Sequence, residues 1–315
     1  MKQTKKLPKI AMGAWAWGND GTFGNHYEAE DLKEVYEKAM EYGLNLWDTA
    51  FVYGAGTSEK ILGELTKETP AEELILSTKF TPQCDDGSAE PMLHMLEGSL
   101  SRLHVDGIDI WWIHNPMDIE RYTPMLIPLA RKGLIKEIGV SNHSLSEIKK
   151  ANEILGRAGL KISAVQNHFS LLNRSSEESG ILDYCRENEI TFYGYMILEQ
   201  GALSGKYDTT HPFPEGSARA EVYNPILNKI EKLTAVIKNI GDKHGINIAQ
   251  TQIAWAIAKG VLPIVGVTKI YHVEDAAKAV SVMLAEEEIS LMEKTADELG
   301  LSTIRFWEKK MERTE

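Results

Sequence analysis

What most constrains this chain is a repeating alternation of short apolar runs and longer amphipathic stretches. The runs are Leu44 to Trp47, Leu74 to Ser77, Ile108 to Ile113, Ile135 to Val140, Ala164 to Gln166, Ile190 to Tyr195 and Leu262 to Val265. They are rich in Ile, Leu, Val and aromatics, the pattern of parallel strands buried on both faces. Between them Asp31 to Tyr42, Ser58 to Leu65, Met92 to Leu103, Leu145 to Leu155, Ile181 to Glu187 and Ile248 to Ala258 carry helical patterning. The first opens on a capping acid and stops at Gly43. Successive run centres lie about 27 to 35 residues apart, one strand–helix unit each. The last gap, about 71 residues, needs more than one helix and a long loop. With an early strand at Ile10 to Met12 the count reaches eight, which predicts an α/β chain folded as a single-domain (β/α)8 TIM barrel. A doubly wound open sheet is the alternative. It is weakened because Gly54 and Gly56 form a GxG with no third glycine in register.

Composition excludes several classes. The 315 residues carry 34 Lys and Arg against 46 Asp and Glu, a net charge of −12. Bulk charge therefore opposes binding to nucleic acid or an anionic membrane, though a local basic pocket is compatible with it. Two cysteines, Cys84 and Cys185, do not make a disulfide scaffold, and no CxxC pair exists. The nine histidines show no metal-ligand spacing, so no metal is expected. The N-terminal apolar run is short and broken by glycine, so the expected location is cytoplasmic.

In a barrel, chemistry sits at the C-terminal ends of the strands. The polar residues found there are Asp48 with Tyr53 five residues on, Lys79, His114, Ser141 with Asn142, and Gln166 with Asn167. Each alone has an ordinary reading as a cap, a solvated lysine or a loop histidine. Together at one mouth, Asp, Tyr, Lys and His form a proton donor. A tyrosine is a poor acid near neutrality, a neighbouring ammonium lowers its pKa, and a carboxylate keeps a buried lysine charged. A histidine across the pocket can orient a carbonyl oxygen. Nothing in the chain supplies a hydride, so a cofactor must.

The segments DTAFVYGAGTSEKILGE (Asp48 to Glu64), STKF (Ser77 to Phe80), DIWWIHNP (Asp109 to Pro116) and GLIKEIGVSNHS (Gly133 to Ser144) resemble signatures of the aldo-keto reductase family. YMILEQGALSGKY (Tyr195 to Tyr207) is similar to its seventh-strand loop, and IVGVTK (Ile264 to Lys269) to its adenosine-phosphate loop. The resemblance implies an NADP(H)-dependent carbonyl reductase acting on a small aldehyde or ketone, with NAD as a second cofactor. It implies Tyr53 as proton donor, tuned by Lys79 and Asp48, and His114 orienting the carbonyl. Ser141, Asn142 and Gln166 would hold the nicotinamide carboxamide, with Tyr195 stacked under the ring. Gly13 would touch the cofactor, and Trp17 beside it would form a wall of the substrate pocket. Leu198, Gly201, Leu203 and Lys206 would follow the pyrophosphate, with Arg219 beside them. Gly266, Thr268, Lys269 and His272 would surround the adenosine 2′-phosphate, and Asp275 would approach the adenine. Met196 and Ile197 stand where the family often has Ser-Pro, and His272 and Ala276 where it often has Arg and Asn. A histidine helps a phosphate only when protonated, which predicts NADP affinity falling as pH rises toward about 8.

Among the remaining residues, Trp111 and Trp112 are adjacent on a strand and must face opposite sides. Trp255 reads as core, His94 and His104 as exterior, and Cys84 as an inert loop thiol. His143 and His168 follow strand ends and are placed to reach the mouth. The long seventh-strand loop, 198–225, would shape substrate choice. The tail, 301–315, either folds Phe306 or Trp307 over the mouth or is a frayed helix end. A cofactor-binding regulatory protein like potassium-channel β subunits is the alternative function. A Schiff-base aldolase using Lys79 is a third.

Overall fold

The computed structural model describes residues 5–24, 26–301, 303–305 and 307–312. Eight parallel strands close on themselves in chain order: β1 Ala11–Gly13, β2 Leu46–Asp48, β3 Ile75–Phe80, β4 Ile108–Ile113, β5 Ile135–Ser141, β6 Ala164–His168, β7 Thr191–Tyr195 and β8 Leu262–Gly266. β1 pairs with both β2 and β8, which closes the barrel and removes the open-sheet alternative. Helices cover the outside, including Ala29–Glu41, Thr57–Thr66, Pro91–Leu103, Leu145–Gly156, Ile248–Ala258 and Glu286–Leu299. The long gap before β8 holds Leu227–His244 and Ile248–Ala258 after a loop containing short helices.

Two cores follow from the alternation of side chains along each strand. Ala11, Leu46, Ile75, Ile110, Trp112, Ala164, Tyr193 and Leu262 fill the barrel. Their neighbours Met12, Trp47, Leu76, Trp111, Val165 and Phe192 face the helices in the larger outer core. Trp111 and Trp112 divide as their adjacency requires. Trp112 fits because Gly139 lies opposite it, where a Cβ would meet the indole at 2.2 Å.

Three boundaries differ from the sequence reading. β3 runs on to Phe80 and β6 to His168, so Lys79 and His168 sit within strands and not after them. Polar side chains hide a strand end when they point into a polar mouth. The first helix starts at Ala29 and not at Asp31, because Asp31 reaches back to accept from the Glu28 backbone N–H (2.9 Å). No helix among the described residues is long and apolar enough to cross a membrane.

Candidate active site

The alternation that builds the inner core also delivers the site. Above Leu46 on β2 comes Asp48, and above Ile75 on β3 come Ser77 and Lys79, each two residues further and so on the same inward face. Lys79 Nζ lies 2.6 Å from Asp48 Oδ1, donates to Thr49 O at 2.7 Å and reaches the Tyr53 hydroxyl at 3.4 Å. The second oxygen of Asp48 accepts from Ser77 Oγ (2.7 Å) and Gln166 Nε2 (3.2 Å), and Trp112 Nε1 donates to Ser77 Oγ (2.6 Å). Every polar atom of this buried carboxylate is thereby engaged.

Tyr53 stands on the loop after β2, where the chain passes very close to the loop after β1. A Cβ on Gly54 would sit 1.7 Å from Gly18 O, and Gly54 has φ +66°. Only glycine permits that approach. Ser58 braces the contact by donating to Ala14 O (2.7 Å). His114, just past β4, turns its ring edge to Tyr53 with centroids 6.0 Å apart, and its Nδ1 lies 3.1 Å from Thr81 Oγ1.

Burial decides the charges. It pulls Lys79 down, but Asp48 and Tyr53 outweigh it and the net pKa is raised. Lys79 is therefore a fixed ammonium, which removes the unprotonated amine a Schiff-base lysine needs. Burial also pushes His114 well below its ordinary pKa, with Lys79 acting in the same direction, so its imidazole is neutral. Tyr53 corrects the sequence expectation. Burial raises its pKa more than Lys79 lowers it, and Asp48 adds to the rise. The resting phenol is protonated.

The sequence model of the Aldo/keto reductase family matches residues 9–297. The chain belongs to the aldo/keto reductase family. It is 32% identical over 314 residues to a chloroplastic pyridoxal reductase of Arabidopsis thaliana, covering 94% of this chain and 85% of that one. It is 29% identical to an aldo-keto reductase of Schizosaccharomyces pombe named for NADP(+), covering 94% and 91%. Among solved structures it is similar to a glycerol dehydrogenase from Gluconobacter oxydans, with TM-score 0.79, 25% identity and coverage of 93% and 91%.

Beside the four residues of this aldo/keto reductase, Ser141 and Gln166 pair across β5 and β6. The Ser141 hydroxyl is buried with no hydrogen-bond partner among the described residues. Asn142, at φ +62°, donates from Nδ2 to His114 O (3.0 Å). Its Oδ1 accepts from the Tyr195 hydroxyl at 2.6 Å. Tyr195 faces the mouth from β7.

Trp17 is corrected. It is fully buried, donates to Val267 O (2.7 Å) and packs on Trp47. Trp15 instead stacks on Tyr53 at 5.7 Å and stands edge-on to Trp307 at 6.2 Å. The segment Trp15–Gly18 is a 3-10 helix, so strand alternation does not tell its two tryptophans apart. Gly13 lies at the end of β1, paired with Asp48 and Gly266.

Farther out, Leu203 is corrected as well. Its side chain is in the core, its N–H donates to Leu198 O (3.1 Å) and its carbonyl accepts from Gln252, leaving nothing for a phosphate. The Gly201 N–H is likewise given to Leu198 O. Arg219 is clasped by Phe23 and Phe213, each 5.3 Å from its guanidinium carbon, and donates to Phe23 O and Gln200 O. It thereby ties the β7 loop to the β1 loop. Burial lowers the pKa of His272, and Lys206 and Lys269 add to the fall against an opposing Asp275. His272 Nδ1 accepts the Thr268 N–H at 3.1 Å. A second proton on that ring would break this bond, so the charged histidine of the sequence expectation is replaced by a neutral one. Asp275 is held by Asn247 Nδ2 (2.9 Å) and Gln250 Nε2 (2.6 Å).

His143 is buried with Nδ1 2.7 Å from Ser141 O, and burial pushes its pKa down to about 4. His168 lies between Glu199 and Glu308. Neither glutamate, nor Trp15 or Thr81, was singled out by sequence reasoning. The available signal was His168 itself, two residues beyond Gln166 and so inward like it. Phe306 lies outside the described residues.

Proposed function

We propose that this chain is an NADP(H)-dependent carbonyl reductase with Tyr53 as the proton donor. The observation that carries the reading is the contact of a wholly buried Lys79 with both Asp48 and Tyr53. It makes sense as a device for transient negative charge on the phenol. A protonated Tyr53 gives its proton to a carbonyl oxygen, and Lys79 stabilises the phenolate left behind. Because Asp48 neutralises Lys79 at rest, the pair costs less to keep in a dry site than a lone cation would. With the Thr81 hydroxyl 3.1 Å away as donor to Nδ1, a neutral His114 would carry its proton on Nε2 and offer it to the same oxygen. Trp15 and Trp307 supply an apolar, flat wall, which favours substrates with an aromatic or planar part.

A nicotinamide nucleotide fits the remaining residues. The Ser141 hydroxyl, partnerless among the described residues, suits a carboxamide together with Asn142 and Gln166, and Tyr195 offers a ring face. Lys206 and Lys269 form no ion pair among the described residues and suit the phosphates, with Lys269 favouring the 2′-phosphate of NADP. When bound, that nucleotide supplies the hydride.

Fluorescence titration with NADPH and NADH tests the reading, using the seven tryptophans as reporters. Saturable binding that favours NADPH is expected. Binding of neither nucleotide would remove the oxidoreductase reading.

A further inference from the structure

The chain beyond residue 297 lies outside the family match, and it carries a buried charge network that the proton donor does not use. The Glu308 side chain is only 3% exposed. Its Oε2 is 2.9 Å from His168 Nδ1 and accepts the Arg305 N–H at 3.0 Å. Its Oε1 lies 2.9 Å from the Tyr195 hydroxyl. On the far side, His168 Nε2 is 2.8 Å from Glu199 Oε1, and Glu199 also accepts from Tyr223 (2.7 Å) and from Thr303 of the tail (2.8 Å). The tail is thus pinned at two points, 303 and 308, to one buried histidine and its partners. Burial opposes charge on that histidine, but the two carboxylates override it and hold its pKa at about 10.

A buried carboxylate is expensive unless it is fully partnered, and this one has one oxygen on an imidazolium and the other on a phenol. The phenol is that of the ring proposed to lie under the nicotinamide. The single Tyr195 O–H proton is shared between Asn142 Oδ1 and Glu308 Oε1, and a carboxylate in that three-centre bond shifts electron density into the aromatic ring and fixes the hydroxyl, hence the ring plane. An electron-rich face attracts a cation. The nicotinamide ring is positively charged when oxidised and neutral when reduced.

We infer that Glu308 is a positioning residue of the nicotinamide site: acting through the Tyr195 hydroxyl, its carboxylate sets the ring and biases it toward the oxidised nucleotide. This rests on the proposed cofactor reading. Asn142 Oδ1 shares the same hydroxyl, so the tail, β7 and the residue after Ser141 are coupled through one proton.

The test is binding, without turnover. Dissociation constants for NADP+ and NADPH are measured by tryptophan fluorescence on the full chain and on Glu308→Gln, which keeps an acceptor for Tyr195 but loses the charge. NADPH affinity is expected to stay within about twofold, while NADP+ weakens about three- to fivefold, the worth of one cation–π change. Equal weakening of both nucleotides, or no change in either, would overturn the inference. Trypsin cleavage after Arg305 reports whether the tail stays docked. If Glu308→Gln releases it, Tyr195→Phe removes only the hydroxyl and is expected to shift the same ratio in the same direction; an unchanged ratio there overturns the proposal. Wild-type protein that binds neither nucleotide would instead defeat the cofactor reading itself.

Discussion

Lys79 and Asp48 form an ion pair of 2.6 Å in which the lysine side chain is wholly buried and the aspartate 5% exposed. Breaking such a pair from one side leaves a stranded charge, whereas replacing both partners removes the desolvation cost along with the attraction. Asp48→Asn is therefore expected to destabilise the fold by about 3–5 kcal/mol. The double variant Asp48→Asn/Lys79→Met is expected to recover most of it. Denaturant unfolding of the three variants completing the cycle checks this, and strict additivity of the two single changes would show that the pair is not coupled.

The neutral His272 gives a second prediction. Its pKa is lowered, and protonation at Nδ1 would displace the Thr268 N–H. The ratio of NADP+ to NAD+ affinity is expected to be flat between about pH 7 and pH 8.5, a range in which a histidine of ordinary pKa would already be losing its remaining charge. Lys269→Met, by contrast, is expected to weaken NADP+ about tenfold relative to NAD+, the scale of one charge-assisted hydrogen bond. A ratio that falls with pH in wild type, and stops falling in His272→Ala, would return the phosphate to His272.

His168 predicts how stability depends on pH. Its folded pKa is raised to about 10 from the ordinary 6.5. A raised folded pKa means that the unfolded chain binds fewer protons in this window, so stability falls as pH rises. The contribution is complete below about pH 6.5, declines above it and is gone once pH has passed about 10. Melting temperatures measured across that range are expected to fall more steeply for wild type than for His168→Asn. Parallel slopes would mean that His168 is not the group that titrates.

The fold was legible because strand spacing and side-chain alternation are properties of the chain itself. The polar residues at the mouth, Asp48, Lys79, His114, Ser141 and Gln166, were legible for the same reason, since each follows an apolar run. What escaped depended on contacts distant in sequence. Trp15 and Trp17 differ only in which side of a 3-10 turn they occupy. Leu203 looks available in sequence, yet Leu198 and Gln252 consume its backbone groups. Glu199 and Glu308 lie 31 and 140 residues from the His168 they hold. The net direction of the Tyr53 pKa depends on desolvation by surrounding elements distant in sequence, which no local pattern encodes.

The most direct test of the central claim is Tyr53→Phe, assayed for reduction of an aromatic aldehyde alongside NADPH binding. Loss of the proton donor is expected to lower kcat by at least about two orders of magnitude, with the NADPH dissociation constant within about twofold of wild type. A variant that turns over near the wild-type rate would mean that the proton comes from elsewhere and that the Lys79–Tyr53 contact has another purpose.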